Sequence, residues 1–331
     1  MNRAWLEKQA NRLWYGRQPL ARLLSPLALA YCGAVTLRRL CYRRGWLPVH
    51  DAGVPVVVVG NITTGGTGKT PLVIWLAGLL RRAGYRVGIV TRGYGGRARA
   101  RPRIVHADSD PLQVGDEAVL LASRTGCPVM SGVDRVAAVQ HLRAGNGCSL
   151  VISDDGLQHY RLGRTVEIAV TDGDRGLGNG LCLPAGPLRE PASRLHSVDF
   201  HVINGSADGS GWRMRMQLNG VRPLAGGGAT LSLDSFRQSQ VHAVAGIGHP
   251  QRFFDMLRAA GLQVIEHAFP DHHVFSAAEL DFGDGLPVLM TDKDAVKCRR
   301  FDTENLWSVS VEAVPDPDFG AALLARLQRT H

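Results

Sequence analysis

The stretch at residues 56–70, VVVVGNITTGGTGKT, constrains this chain more than any other. Four consecutive valines are β-branched and apolar, the composition of a strand buried on both faces of a sheet. Glycines then break the strand, and residues 71–80 are amphipathic at helical spacing, so the segment predicts strand, loop and helix in that order. Gly65, Gly66 and Gly68 let the backbone approach a polyphosphate and aim successive N–H groups at it, at the positive end of the following helix. In such a loop Thr63, Thr64, Gly65, Gly66, Thr67 and Gly68 form the cradle for a nucleotide polyphosphate, Lys69 reaches the β- and γ-phosphates, and the Thr70 hydroxyl holds Mg2+. Pro71 suits the first helical turn, where its missing donor costs nothing. One departure is Thr63, which stands where the G-x-x-x-x-G-K-[ST] pattern has its first glycine. The competing reading is an ordinary glycine-rich turn; a correctly spaced Gly-Lys-Thr between strand and helix signals weighs against it.

The second informative stretch is LVISDD at residues 150–155, an apolar strand ending in two carboxylates. Phosphate-loop enzymes hold Mg2+ with an acid that a strand end delivers beside the loop, which nominates Asp154 and Asp155. Earlier, RVGIV at residues 86–90 predicts a strand running into TRGYGGRARARPR, an irregular loop of the kind that carries ligands in open α/β sheets. Its Arg92, Arg97, Arg99, Arg101 and Arg103 are candidates to grip an anion, set against a solvated basic loop. Gly115-Asp116-Glu117 opens a helix with two carboxylates in its first turn, and capping accounts for one of them without any function. Asp134 reads as a cap, and Arg135 is open to either reading. Residues 172–191 form a Gly/Pro segment unsuited to helix or strand, with Asp172, Arg175, Asn179, Arg189 and Glu190 as its polar candidates.

A chain of 331 residues that is 45% hydrophobic buries a substantial core and is expected to divide into two domains. Its net charge of +9 predicts an anionic partner. Nucleic acid is disfavoured, because the basic residues are not interleaved with aromatics and no recognition motif is present. Six scattered cysteines without a C-x-x-C pair read as reduced thiols of a cytosolic protein. Between Arg22 and Arg38 runs LLSPLALAYCGAVTL, 15 uncharged residues including Pro26. That is short of the roughly 20 needed to span a bilayer. Trp5, Trp14, Tyr15 and Trp46 lie near it, and Arg12, Arg17, Arg22, Arg38, Arg39, Arg43 and Arg44 border it. The pattern fits a helix lying in the interface of an anionic bilayer, with a buried packing helix as the equal alternative.

In the second half, residues 205–233 are Gly-rich and carry the alternating WRMRMQL, which suits a two-stranded ribbon between domains. VHAVAGIGHP then leads into a helix at residues 251–260, the strand LQVIEHAF and the loop PDHHVF. His272 and His273 lack the surrounding carboxylates of a metal site and read, on their own, as solvent-facing imidazoles after a capping Asp271. TDKDAVK at residues 291–297 is a strand-to-helix turn, either a nucleotide contact or an ordinary capped helix.

Taken together, residues 60–71, RGYGG at 92–96, GDE at 115–117, DDGLQH at 154–159 and LPAGPLREP at 183–191 resemble the tetraacyldisaccharide 4′-kinases, the lipid A 4′-kinases of Gram-negative bacteria. The likeness covers nearly the whole chain, and TDKDAVK is similar to that family's T-E-K-D-A-V-K. The resemblance implies a monotopic kinase at the cytoplasmic face of the inner membrane. It would transfer the γ-phosphate of ATP, with Mg2+, to the 4′-hydroxyl of an acylated glucosamine disaccharide 1-phosphate, giving lipid IVA. The implied fold is α/β, a P-loop NTPase-like α/β/α sandwich with a second, smaller α/β/α domain, a β-ribbon linker and an N-terminal membrane-associating helix. Boundaries are expected at 1–48, 49–205, 206–235 and 236–331. The resemblance favours membrane contact for the N-terminal run, and it removes the objection at Thr63, because the family also lacks a glycine there. It pairs His272 with Asp116 as a base dyad for the 4′-hydroxyl, with Lys69 as the third catalytic group. Arg92, Tyr94, Arg135, Gln158, Arg189 and Glu190 are its implied substrate contacts. The oligomeric state is left open.

Two rivals belong to other classes. A nucleotide-switched binding protein often carries K-G-G-x-G-K-[ST], but Thr64 stands at the signature lysine, and no [NT]-K-x-D guanine-reading motif occurs. A P-loop kinase or ligase of soluble metabolites has little reason to expose an uncharged, arginine-bordered run.

Overall fold

The structure, a computed structural model, describes residues 3–16, 20–96, 101–206, 211–225, 229–301 and 303–329; Arg17, Arg97 and Arg99 lie outside them. Helices α1 (Arg3–Tyr15) and α2 (Leu20–Arg43) come first. The valine run is β1 (Val56–Gly60), buried at all five positions, and the glycine loop delivers the chain into α3 (Lys69–Arg82). There follow β2 (Val87–Thr91), β3 (Arg103–Val105), the single turn α4 (Pro111–Val114), α5 (Asp116–Thr125), β4 (Val129–Ser131), α6 (Arg135–Asn146), β5 (Leu150–Ser153), β6 (Val166–Asp172) and β7 (Phe200–Asn204). The long β8 (Trp212–Pro223) leads to β9 (Gln240–Ala245), α7 (Pro250–Ala259), β10 (Gln263–Ala268), β11 (Val288–Thr291), α8 (Asp292–Cys298), β12 (Leu306–Pro315) and α9 (Phe319–Gln328).

The described strands form one 12-stranded sheet in the order β10-β9-β11-β12-β8-β7-β6-β1-β5-β2-β4-β3. Neighbours are parallel except at β3–β4 and β8–β12. The central position of β1, between β5 and β6, matters most for function. Its loop emerges between the ends of the two strands that carry Asp154 and Asp172, where open α/β sheets bind ligands. The expected ribbon is β8 paired along its length with β12, so its second strand comes from far down the chain, and the sheet continues through it.

Apolar layers hold both faces. On one, Leu72, Leu76 and Leu80 of α3 and Val119 and Leu121 of α5 pack on β1, β5 and β6. Phe319, Leu323 and Leu327 of α9 join that same core, with Phe319 stacked 5.7 Å from Trp75 of α3. The last helix therefore packs on the first half of the chain, although residues 236–331 were expected to form a unit of their own. On the other face, α6 packs through Val136, Val139 and Leu142, with Tyr31 and Cys32 of α2 at its margin. Separate clusters around Phe253, Phe254 and Leu257 and around Phe275 and Met290 fill the second half. All six cysteines are free.

The expectation that the N-terminal run is too short to span is corrected. Helix α2 continues through its arginine-bearing flanks to 24 residues, long and apolar enough to cross a membrane by length and composition. A helix of that length is about 36 Å long. Pro26 lies inside it, in the second turn, where it leaves the carbonyl one turn back without its helical donor. One side of α2 is tied to the protein: the Tyr31 hydroxyl donates to the Arg189 carbonyl (3.2 Å) and Arg39 donates to Ser197 Oγ (2.6 Å). The other side leaves Leu23, Leu27, Leu29 and Leu37 exposed.

Candidate active site

The segment LPAGPLREP holds the phosphate loop open from outside. Thr64 donates its N–H to the Pro187 carbonyl (2.9 Å) and Arg189 donates to Ile62 (2.7 Å), a short antiparallel pairing centred on Thr63 and Leu188. Asn61 Nδ2 bonds the Gly65 carbonyl (3.3 Å), and Asn204 Nδ2, from the end of β7, bonds that of Thr67 (3.1 Å). Gly68 has φ 91°, and a Cβ there would stand 2.7 Å from Asn204 Nδ2, so this position takes only glycine. Among the described residues, no loop hydrogen bond engages the N–H groups of Gly65, Gly66, Thr67 and Gly68. These four amides, at the N-terminus of α3, are open to an anion. The Thr64 amide, expected in the cradle, is instead spent on Pro187, and Thr63 is buried, so both shape the loop from beneath.

Lys69 and Thr70 occupy the first turn of α3. Lys69 Nζ lies 3.4 Å from Asp155 Oδ1, and Arg189 pairs with the same carboxylate (3.1 Å). Burial pushes the Asp155 pKa up, but Lys69, Arg189 and Arg135 outweigh it and hold the group below the ordinary carboxylate range. Asp154 is the opposite case. It is buried, its Oδ1 has no hydrogen-bond partner, and burial with the nearby charges of Glu117 and Asp155 raises its pKa to about 7. A buried carboxylate oxygen with nothing to bond calls for a partner such as an ion or a water. Asp155 supplies charge balance for Lys69 and Arg189, so the two adjacent acids, read as interchangeable in the sequence, have different surroundings.

The second cluster joins residues far apart in the chain. Asp116, at the start of α5, accepts from His272 Nδ1 (2.9 Å to Oδ2), and its own Oδ1 also accepts the Glu117 N–H (2.9 Å). Burial raises the Asp116 pKa, but the bond from His272 and the charge of Lys293 bring it below the ordinary value. Behind the pair, Lys293 Nζ contacts Glu117 Oε1 (3.1 Å), Asp271 Oδ1 (3.0 Å) and His272 Nε2 (3.4 Å). Burial pulls its pKa down, yet Glu117, Asp116 and Asp271 raise it overall, so the ammonium stays charged. Asp271 is thus an ion-pair partner and not the expected cap, and His272 faces inward. The Tyr94 ring lies 4.9 Å from that of His272. Gly93 turns with φ 70°, and a Cβ there would run into Ser131 Oγ and stand 2.7 Å from the Val114 carbonyl, which lets the RGYGG loop fold down beside Asp116. Asp155 (φ 46°) and His272 (φ 62°) both adopt the left-handed region without being glycine. Such strain costs about 1–3 kcal/mol per residue and collects at functional positions.

A cavity of about 640 Å³ opens on this cluster, lined by Asp116 and His272 at one end and by Leu112, Val274, Arg299 and Arg300 elsewhere. The lining contains no phosphate-loop residue. Glu117 links the two clusters, since it contacts Lys293 and bears electrostatically on Asp154. Asp116 therefore lines the cavity and is next in sequence to the residue whose charge reaches the acidic strand end.

Residues 20–328 match the profile of the family described as tetraacyldisaccharide-1-P 4′-kinase. The chain belongs to this family. It is 56% identical over 321 residues to the tetraacyldisaccharide 4′-kinase of Alkalilimnicola ehrlichii, covering 96% of each chain. It is 52% identical to that of Nitrosococcus oceani, over 96% of this chain and 94% of the relative. A crystal structure of LpxK from Aquifex aeolicus in complex with ATP superposes with a TM-score of 0.79 at 26% identity, over 93% of this chain and 99% of the other.

In this 4′-kinase family member, the residues nominated as substrate contacts fall into two groups. Arg92 and Tyr94 are exposed, and Arg189 is partly so, on the side of the phosphate loop and the Asp116 cluster. Arg135, Gln158 and Glu190 are engaged within the protein. Arg135 is buried and donates to Ser153 Oγ (3.0 Å), close to the two aspartates whose charge it balances. Glu190 is fully buried, accepting from Gln158 (2.7 Å) and the Tyr160 hydroxyl and pairing with Arg194 (3.3 Å). Gln158 also bonds the Asn61 carbonyl (3.1 Å), so this network fixes the base of the phosphate loop. The physical reason is depth: both charges are buried, where only a compensated charge is tolerated. Two further groups stand beside Asp116 and His272, Glu117 and Lys293, neither of which the sequence reading gave a role of its own. The TDKDAVK turn had been singled out, but nothing local in it says that its first lysine reaches across to α5.

Proposed function

We propose that the two clusters form one phosphoryl-transfer site for the family's reaction. The chain is an ATP-dependent kinase of lipid A biosynthesis that phosphorylates the 4′-hydroxyl of an acylated disaccharide 1-phosphate, giving lipid IVA. The observation that carries the site assignment is the contact of Asp116 with His272 beside a cavity, on the side of the sheet that carries the phosphate loop. In this reading the amides of Gly65 to Gly68 and Lys69 hold the triphosphate. Asp116, ionised at neutral pH and oriented by His272, accepts the proton of the 4′-hydroxyl. The 4′-oxygen bonds to the γ-phosphorus as the bond to the β-phosphate oxygen breaks, and that electron pair leaves with ADP. The Lys293 ammonium helps hold the Asp116 pKa below its ordinary value and pairs with Glu117 and Asp271.

The donor set fits Mg2+. Among the described residues no three His, Cys, Asp or Glu side chains converge as a metal site, but Mg2+ needs only one or two carboxylates beside phosphate oxygens and waters. The bare Oδ1 of Asp154 and the Thr70 hydroxyl would hold it. Bound there, the ion neutralises charge on the β- and γ-oxygens. The test is incubation of the purified protein with ATP, Mg2+ and a 1-phosphorylated acylated disaccharide. A lipid heavier by one phosphate is expected from the wild type, and Asp154→Asn should raise the Mg2+ concentration needed at least tenfold. ATP consumed without labelled lipid, or a soluble metabolite labelled instead, would overturn the reading.

The second partner in this proposal is the anionic surface of the cytoplasmic leaflet. The exposed leucines of α2 offer an apolar face, and flanking arginines add about 1 kcal/mol each near anionic lipid. Because Tyr31 and Arg39 tie the other side of α2 to the catalytic half, the helix lies along the surface in this reading. Flotation with vesicles containing anionic phospholipid should capture the protein, and a Leu23→Asp, Leu27→Asp variant should lose at least tenfold in partitioning. Equal flotation of the two proteins would remove α2 from the contact.

A further inference from the structure

Arg175, in the Gly/Pro loop after β6, has no role in the site described above, yet it lies over the phosphate loop. Its backbone N–H donates to Asp172 Oδ1 (3.1 Å), which fixes the turn that presents it. Its guanidinium Nη1 is 3.8 Å from the point where a Cβ on Gly65 would stand, and Nη2 is 3.5 Å from the Gly248 carbonyl in the β9–α7 loop. Gly248 itself packs on the phosphate loop, since a Cβ built there would be 3.1 Å from the Gly66 nitrogen. The outer turn of the loop, Gly65–Gly66, is thus covered by Arg175 on one side and by the β9–α7 loop on another.

The charge of Arg175 is also uncompensated. The two nearest acids, Asp172 and Asp174, are both held by Arg252, at 2.8 and 2.5 Å. Among the described residues no carboxylate lies within ion-pair distance of Arg175, which rests against the Tyr15 ring at 5.2 Å. A guanidinium has five N–H donors in a planar fork, and here its partners are one long carbonyl contact and the Tyr15 side chain, neither of them an anion. A cation without a carboxylate partner beside a row of free amides is matched by an anion bound there.

We propose that Arg175 contacts the terminal phosphate of the bound nucleotide and stabilises it during transfer, an arginine supplied from the chain's own loop. The inference rests on the 4′-kinase reading. Negative charge spreads over the γ-oxygens and the departing β–γ bridge oxygen as the 4′-oxygen attacks, and a bidentate cation at the outer turn of the loop meets that charge. Tyr15 makes Arg175 a link between the N-terminal helices and the nucleotide.

The test compares full-length Arg175→Ala and Arg175→Lys with wild type for kcat, KM for ATP, and thermal midpoint. Arg175→Ala is expected to lower kcat by about 10³-fold, with KM for ATP changed less than tenfold. Arg175→Lys, a point charge without the fork, should stay at least thirtyfold below wild type, and added guanidinium chloride at millimolar levels should raise kcat of the alanine variant at least fivefold. A merely structural arginine would give no such rescue. The inference is overturned if either variant keeps kcat within threefold of wild type, or if guanidinium leaves the alanine variant unchanged. Absence of phosphorylated lipid with the wild type would instead refute the kinase reading itself, so the two failures are distinct.

Discussion

Asp116→Asn is expected to lower kcat by about 10³-fold while leaving the affinity for ATP within a fewfold of wild type, because a positioned general base contributes about 10²–10⁴ to rate. Asparagine keeps the shape of the side chain and can still accept the Glu117 N–H, but it cannot take up a proton. Nothing in the phosphate loop touches Asp116, so nucleotide binding, read by calorimetry, should be preserved. The pH dependence of stability supplies an independent check. Burial raises the pKa of Asp116, but His272 and Lys293 together lower it below the unfolded value. The ionised group therefore stabilises the fold above the ordinary carboxylate range, and that contribution fades as pH falls through the depressed folded value. The unfolding midpoints of wild type and variant should differ at neutral pH and converge in acid. Turnover by Asp116→Asn within tenfold of wild type would remove Asp116 from the role of base.

Lys69→Ala should act on the other cluster and give a different signature. Removing one preorganised donor from developing charge costs about 10²–10³ in kcat, and the loss of a cation from the cradle should weaken ATP binding as well. Both constants should therefore move, whereas Asp116→Asn moves only one. A further consequence follows from the neighbours. Lys69 is one of two cations that lower the pKa of Asp154 against burial and against the charges of Glu117 and Asp155. Without it Asp154 holds its proton to higher pH, and a proton competes with Mg2+. The variant should need more Mg2+, and the deficit should shrink as pH is raised. Single-turnover kinetics across a Mg2+ and pH grid would measure this, and a Lys69→Ala enzyme with unchanged KM for ATP would contradict the assignment.

What the sequence determined by itself was the local chemistry. Strand, loop and helix at residues 56–82 follow from β-branched valines, three glycines and an apolar helix face within a few residues of one another, and such short-range preferences need no partner elsewhere. The acidic end of β5, the cap at Asp134 and the irregular course of residues 172–191 are legible for the same reason. The pairing of Asp116 with His272, 156 positions away, was implied only by resemblance. The distinct surroundings of Asp154 and Asp155, the burial of Arg135 and Glu190, the reach of Lys293 to α5 and the packing of α9 on α3 were decided by tertiary structure alone. Burial and charge balance depend on which elements the 12-stranded sheet brings side by side. That order is set by the summed packing of the whole core, whereas a turn or a helix start is set by its own residues.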